Sequence, residues 1–434
     1  MRILHLIIFI TLVFPSVVLG QLKIEGTLVD SATQQPIPFA NVWQKGTSKG
    51  TLTNDLGRFI LEADTSLSDS LIFSLIGYQQ KKHNIHFIPK LRPFWVELSK
   101  KSFELNTVII TPLSAQEYIR RAIISFEKNY NISGSESRYY YREVIKENGN
   151  YNRFTEAVLD AHQPPLKAQK NDTAIIRIKG GQVLDNAQYI EFMHEYAKNK
   201  FKKSNKKKAK KGEPTEGFTD ASEYITFSNP YLFVDSSLTT KAPSFLDSVH
   251  FEKYEYQIEY GYESRGKQML CISFNQKKKV YDNLHSGYIY MVDSSFAIEG
   301  IDYGWSEKGK KRLIPAWAKA ALWVYRLEVD EPNLIAKIRF SESNGKWQLN
   351  HYFINLYGRL TKKYFFDDNE SSQFELNQSF VFIEPLNGLN QQDSVLKRKT
   401  PLHNQIKTST KNLDWSKYRK LEPENLKGKQ ANSF

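Results

Sequence analysis

The chain has 434 residues, a formal net charge of +13, 40% hydrophobic residues, 13% aromatic residues and one cysteine. At roughly 100–200 residues per domain this is room for two or three domains, and the apolar content excludes a globally disordered chain. With Cys271 alone, an intramolecular disulfide framework and a cysteine-only metal cluster are both excluded.

The first 20 residues, MRILHLIIFITLVFPSVVLG, place Arg2 before an apolar run ending near Val18, with Gly20 just ahead of Gln21. A basic start, an apolar middle and a small-residue end read as a secretory signal peptide. Passage across the inner membrane follows as an expectation, with residence in the periplasm or at the outer-membrane periphery. No later segment has about 18 consecutive apolar residues, so no transmembrane helix is expected after cleavage.

From 21 to 100, short alternating runs recur: Leu22, Ile24 and Leu28, then Ala40 and Val42, Phe59 and Leu61, Leu71, Phe73 and Leu75, and Trp95, Val96 and Leu98. Turn formers separate them, among them Gln35-Pro36 and Asn54-Asp55-Leu56-Gly57. This spacing predicts a seven-stranded antiparallel β-sandwich. The ordered set Gly26, Asp30, Pro36-Ile37-Pro38-Phe39-Ala40-Asn41-Val42, Gly46, Gly50, Thr53-Asn54, Gly57, Phe59 and Ser74-Leu75-Ile76-Gly77-Tyr78 resembles the carboxypeptidase regulatory-like, transthyretin-type domain. The resemblance implies a secreted or outer-membrane protein of the Bacteroidota cell envelope. It does not imply peptidase activity, because these modules accompany carboxypeptidases without catalytic residues. A zinc carboxypeptidase needs His-x-x-Glu and a distant His. None of the nine histidines has Glu three residues later. Residues 101–111 read as a linker strand.

Ser114-Ala115-Gln116-Glu117 is a capping box, and Ala115, Tyr118, Ile119, Ala122, Ile123 and Phe126 follow at helical spacing. A helix is therefore expected over about 115–129, and a second over 186–201. Beyond them the pattern is β: Tyr254, Tyr256, Ile258 and Tyr260 alternate with polar residues, as do Leu270, Ile272 and Phe274, Leu334, Ala336, Ile338 and Phe340, and Trp347, Leu349, His351 and Phe353. The fold class is thus mainly β, with a larger antiparallel sheet domain and a few helices (α+β) over 112–385, wet on one face. Segment 286–298 resembles a hairpin of Bacteroidota envelope proteins that couple this sandwich to a long second region. By analogy, the expected shape is the curved sheet of periplasmic lipoprotein carriers. Two helices leave part of such a face uncovered, and an apolar groove near Trp347 and Phe353 is expected there.

The positive charge is concentrated. Residues 198–211 hold nine lysines and no acid, and the tail from Gln391 carries a net +6, leaving the rest close to neutral. The insert near 198–216 reads as a solvated loop and the tail, 386–434, as disordered. A weak contact of the insert with anionic lipid or polysaccharide is the second reading. Nucleic acid is not an expected partner, since a binder spreads its basic residues over a folded face.

Other candidate chemistry yields to structural readings. Gly46-Thr47-Ser48-Lys49-Gly50 fits a nucleophile elbow but lies between β runs, where a turn is expected. His83 and His86 lack nearby carboxylates, His194-Glu195 is followed by Lys198 where a zincin needs His, and Cys271 sits in an apolar strand. Asp367-Asp368-Asn369-Glu370 reads as a solvated turn. The expectation is therefore a non-catalytic binding or scaffold protein at the periplasmic side of the outer membrane, without cofactor or metal, whose partner is an envelope protein or an apolar ligand. The alternatives are a periplasmic carrier with an apolar groove in the larger sheet and an unrecognised hydrolase.

Overall fold

The computed structural model describes residues 21–434 except 46–49, 55, 66–67, 76–77, 89–93, 101–112, 131–133, 164–172, 186–190, 213–228, 236–242, 265, 315–318, 320–321, 325, 344, 365–367, 399, 407–412, 420 and 422–434. The signal-like segment and the linker strand expected over 101–111 lie outside the described residues. The chain divides into two compact units, Met1–Glu104 with Arg419–Phe434, and Leu105–Tyr418.

Among its described residues the first unit has seven strands: β1 (Gln21–Asp30), β2 (Asn41–Gln44), β3 (Gly50–Leu52), β4 (Arg58–Asp64), β5 (Ser70–Ser74), β6 (Lys81–Asn84) and β7 (Phe94–Leu98). They form one sheet in the order β4-β1-β7 and another in the order β3-β2-β5-β6. Leu28, Val42, Phe59, Leu71, Phe73 and Val96 are fully buried in one apolar core. The alternation read in the sequence is real, with β7 buried at Phe94, Val96 and Leu98. One pair departs from the antiparallel expectation: β7 runs parallel to β1, with Gly26 opposite Phe94. Parallel neighbours need a crossover, and the chain between them passes through the whole second sheet. The Asn54–Gly57 turn closes as its residues dictate. The Asn54 side chain accepts from the Leu56 and Arg58 amides, while Gly57 sits at φ 71° with the Leu28 carbonyl 2.4 Å from where a Cβ would lie.

Asp30 anchors the loop after β1. Its Oδ1 accepts from the Ala32 and Thr33 amides, both at 2.9 Å, and its Oδ2 from the Tyr78 hydroxyl. These donors, the Thr33 amide foremost, hold its carboxyl down at about 2 against an ordinary 3.8. A depressed carboxylate stabilises the fold above its unfolded value and loses that contribution as pH falls. Fragment 21–105 should melt cooperatively, with a stability that declines between about pH 4 and pH 2. Asp30→Asn should be less stable at neutral pH and should lose that acid limb. Thermal melts across this range check it, and parallel curves for the two proteins would contradict it.

The second unit is built on one antiparallel sheet of eleven strands, in the order β11-β12-β13-β14-β15-β16-β17-β8-β9-β10-β18. The strands are β8 (Ser135–Glu147), β9 (Asn150–Gln163), β10 (Ile175–Asp185), β11 (Tyr254–Ser264), β12 (Lys267–Gln276), β13 (His285–Val292), β14 (Ile298–Trp305), β15 (Leu327–Ser343), β16 (Lys346–Lys362), β17 (Glu370–Pro385) and β18 (Ser394–Val395). Among the helices are α1 (Ala115–Ile124), α2 (Phe126–Asn129), α3 (Glu191–Lys210), α4 (Tyr231–Asp235), α5 (Leu402–Ile406) and α6 (Trp415–Tyr418). Ser114 caps α1 by accepting from the Glu117 amide, as the capping box requires. No helix among the described residues is long and apolar enough to cross a membrane.

One face of this sheet carries the main core. Ile272, Ile289, Ile301, Ala336, Ile338, Tyr352, Phe380 and Leu159 lie in it, beneath Tyr118 and Ile119 of α1, Phe233 of α4 and Phe245 of a 3-10 turn. Phe233 stacks on Phe380 at 5.4 Å and Phe245 on Phe274 at 4.1 Å. Of the two expected helices, only α1 contributes described residues to this cover, which α4 and the 3-10 turn extend. The other face is not uniformly wet. In β9, residues 152–161 are buried on both faces, and in β8 most of the strand is.

Two expectations are corrected. Over 198–210 the lysine run is not a loop but the C-terminal part of α3, because lysine is a good helix former when its ammonium reaches water and is favoured at a helix C-terminus; residues 213–216 of the insert lie outside the described residues. The tail is not disordered over 394–398 and 400–406. β18 pairs with β10, and Leu396, Leu402 and Ile406 are buried. Adjacent glycines on β10 make room for the chain: a Cβ on Gly181 would lie 2.7 Å from Ile406, and one on Gly180 2.7 Å from Leu413. Three apolar anchors outweigh the tail's solvated lysines.

Candidate ligand cleft and buried polar clusters

β15 and β16 form a long hairpin, paired from Ser343 and Lys346 at the turn to Leu327 and Lys362 at the open end. A β-bulge interrupts the pairing between Asp330 and Asn333, with Glu331 at φ 49°. The extra residues bend the strand near its open end. There the chain leaves a cleft of about 580 Å³ lined by Ile314, Lys319, Leu322, Trp323, Arg326, Leu327, Glu328, Val329, Asp330, Lys363 and Tyr364. Trp323 is 79% exposed and Tyr364 40%. Lys363 and Glu328 form an ion pair at 2.5 Å, which raises the lysine's affinity for its proton. The Lys363 amide donates to the Arg326 carbonyl, and the Tyr364 hydroxyl donates to Glu370. An indole and aliphatic side chains beside three cations and two carboxylates suit a ligand with an apolar body and a polar end.

Neither Trp347 nor Phe353 lines this cleft. Trp347 is at the hairpin end of β16, 6% exposed, with the Lys267 ammonium over its ring at 5.5 Å and a bridge to Tyr130. About 50 Å of strand separates it from Lys363. The structure also places the two residues on opposite faces. The register shifts between Arg339 and Phe340, so that Leu349 pairs with Phe340 and His351 with Arg339, leaving Asn350 as the extra residue. That bulge reverses the alternation. Trp347, Leu349, Tyr352 and Ile354 therefore face the main core, while His351 and Phe353 face the other way.

On that second face, pairing sets ionisable groups side by side. Lys337 lies opposite Asp302 on one flank and Phe353 on the other, and Arg339 opposite His351. Arg339 reaches Asp302 at 2.6 Å, with its guanidinium 5.8 Å from the Tyr290 ring centroid. Burial, with Arg339 and Lys337 nearby, lowers His351 to about 3, and burial likewise lowers Lys337. Cys271, on the same side of β12, has its thiol pushed up to about 12 by burial, as expected of an inert cysteine.

A second polar cluster lies at the β8–β9–β17 end of the core face. Glu143 accepts from the Tyr141 hydroxyl at 3.0 Å and from Gln378 at 2.9 Å. Arg153, fully buried, has Nε 3.7 Å from Glu143 and Nη1 2.9 Å from His403 Nε2 of α5. Donation by Nη1 requires His403 Nε2 to accept, which puts the proton of the neutral ring on Nδ1.

The remaining sequence candidates fall apart. His83 packs edge-on against Phe73 and Phe94, whereas His86 is exposed. Glu370 accepts from Tyr364, and Asp367 lies outside the described residues, as do 46–49 and the side chains of His194 and Glu195. Among the described residues no group of three His, Cys, Asp or Glu is placed to hold a metal ion. Sequence reasoning missed Trp323, Val329 and Tyr364. The signal was present in the apolar run Ala320-Ala321-Leu322-Trp323-Val324 set between basic residues, which reads equally as cover for the sheet.

No curated protein matches the chain. Among solved structures, similar ones include a DUF1329 family protein from Desulfovibrio piger (12% identity, 64% of this chain and 95% of that one, TM-score 0.23). A LolA superfamily protein from Nitrosomonas europaea is 8% identical over 64% of this chain and 96% of its own, TM-score 0.21. A domain from Vibrio parahaemolyticus described as an outer membrane lipoprotein-sorting protein is 10% identical over 64% and 95%, TM-score 0.22. At TM-scores this low these neighbours say nothing about what this chain binds. Residues 24–110 match the CarboxypepD_reg-like domain family. Seven strands in two sheets and that match together make the N-terminal sandwich a carboxypeptidase regulatory-like domain.

Proposed function

We propose that the protein is a secreted, periplasmic binding protein that carries an apolar ligand on its larger unit, with the regulatory-like domain as an attached module. The observation that carries this reading is the cleft at the open end of β15 and β16, where Leu322, Trp323 and Val329 offer apolar surface beside Lys319 and Arg326. An indole left 79% exposed costs solvation free energy that a bound apolar chain would recover. The signal-like first 20 residues support export. A scaffold role is the second reading, favoured by Phe87 at 87% and Trp95 at 63% exposure on the sandwich.

An environment-sensitive apolar dye should bind saturably and be displaced by a long-chain fatty acid. Trp323→Ala should weaken binding about tenfold, a loss near 1.4 kcal/mol. Phe87→Ala, on the other unit, should leave it unchanged. Absence of saturable binding, or equal affinity in the Trp323→Ala protein, would leave the scaffold reading standing.

A further inference from the structure

The lysine run does more than raise the net charge. Lys198, Lys202, Lys203, Lys206, Lys207 and Lys210 of α3 are exposed. Between 198 and 211 the sequence contains no Asp, Glu or Arg. At about 100° per residue, positions 202, 203, 206, 207 and 210 fall within an arc of roughly 140°, over about 12 Å of helix axis. One side of the rod is therefore a compact cationic strip. Lys202 and Lys206, Lys203 and Lys207, and Lys206 and Lys210 are i,i+4 neighbours of like charge, an arrangement that weakens a helix unless negative charge lies against it.

The chemistry of the strip selects its partner. Lysine is a mobile point charge without the planar fork that arginine uses to clasp individual phosphates, so the strip suits a diffuse negative field. The only aromatic residue between 198 and 211 is Phe201, which leaves no ladder for stacking bases. The densest side of the helix is a straight strip that matches a plane, and Lys208 alone of the described lysines of α3 points the opposite way. We propose that this side of α3 docks on the surface of a bilayer containing anionic phospholipid. The inference is independent of what the cleft binds.

Each lysine held near an acidic leaflet raises affinity about fivefold, and salt screens the attraction beyond about 8 Å at physiological strength. The full chain should co-sediment with phosphatidylcholine vesicles containing phosphatidylglycerol, not with phosphatidylcholine alone, and high salt should release it. Lys203→Glu/Lys207→Glu/Lys210→Glu should lose at least about 100-fold in affinity. The Gln counterpart of this triple variant, which preserves helix propensity, should lose less but still clearly. A control of equal net charge, Lys82→Glu/Lys278→Glu/Lys279→Glu, should retain most of the binding. Equal capture by neutral vesicles, wild-type binding by both α3 variants, or an equal loss in the control would overturn the proposal. So would tighter, α3-dependent binding to heparin or duplex DNA than to the acidic vesicles.

Discussion

Lowering the pH from 7 to 4 is expected to strip several kcal/mol from the larger unit, with His351 as the main cause. His351 is 1% exposed on β16, paired with Arg339 on one side and Val381 on the other. Burial foremost, then Arg339 and Lys337, lower its ring from 6.5 to about 3. Burial also lowers His285, beside Phe245 and Tyr303, to about 4. In the unfolded chain both rings take up a proton near pH 6.5, whereas in the folded chain they do not. The unfolded state therefore binds more protons below that value, and stability falls with pH through the window down to the folded values. The slope is about 1.4 kcal/mol per pH unit per ring, which gives a loss of about 3 kcal/mol from His351 alone by pH 4. Urea unfolding at successive pH values reads this directly. His351→Leu should reduce the slope by one proton equivalent whatever it does to stability at pH 7. A variant as acid-sensitive as the wild type would refute the assignment.

The same residue shows where sequence reading stops. Trp347, Leu349, His351 and Phe353 alternate without fault, and the alternation predicts one shared face. A single extra residue at Asn350 reverses it, and nothing in Leu349-Asn350-His351 announces a bulge. By contrast the strands that keep their period, such as Leu334, Ala336, Ile338 and Phe340, face the core as read. β8 and β9 were illegible for another reason. Residues buried on both faces do not alternate, and Tyr139, Tyr140 and Tyr141 are all 2% exposed or less. The seven strands of the sandwich were legible because each has one inward face and a turn at each end. The tail's docking was hidden because composition averages over it, while its attachment depends on three apolar residues and two glycines on a distant strand. The cleft depends on the start of β15, the end of β16 and the segment that precedes β15, a juxtaposition no local pattern encodes.

Removing the carboxylate of Glu143 should damage the fold more than removing its buried partner. Glu143 and Arg153 are both fully buried, and Arg153 Nε and Nη2 find no hydrogen-bond partner among the described residues. Glu143→Ala leaves the guanidinium without the only carboxylate described beside it, and uncompensated buried charge costs about 3–5 kcal/mol. Arg153→Met removes the charge that burial penalises, while Glu143 keeps the Tyr141 hydroxyl and Gln378 as donors. Its cost should be smaller. Glu143→Ala/Arg153→Met should be less damaging than the sum of the two single changes by about 2 kcal/mol, because the double variant buries no charge at this site. Urea unfolding of the four proteins gives the coupling, and costs that add to within about 0.5 kcal/mol would reject the pair as an energetic unit. The cluster also ties α5 to the sheet through His403. Glu143→Ala should therefore loosen the Leu402–Ile406 segment before the rest of the unit, exposing its backbone amides to hydrogen exchange sooner than those of β16.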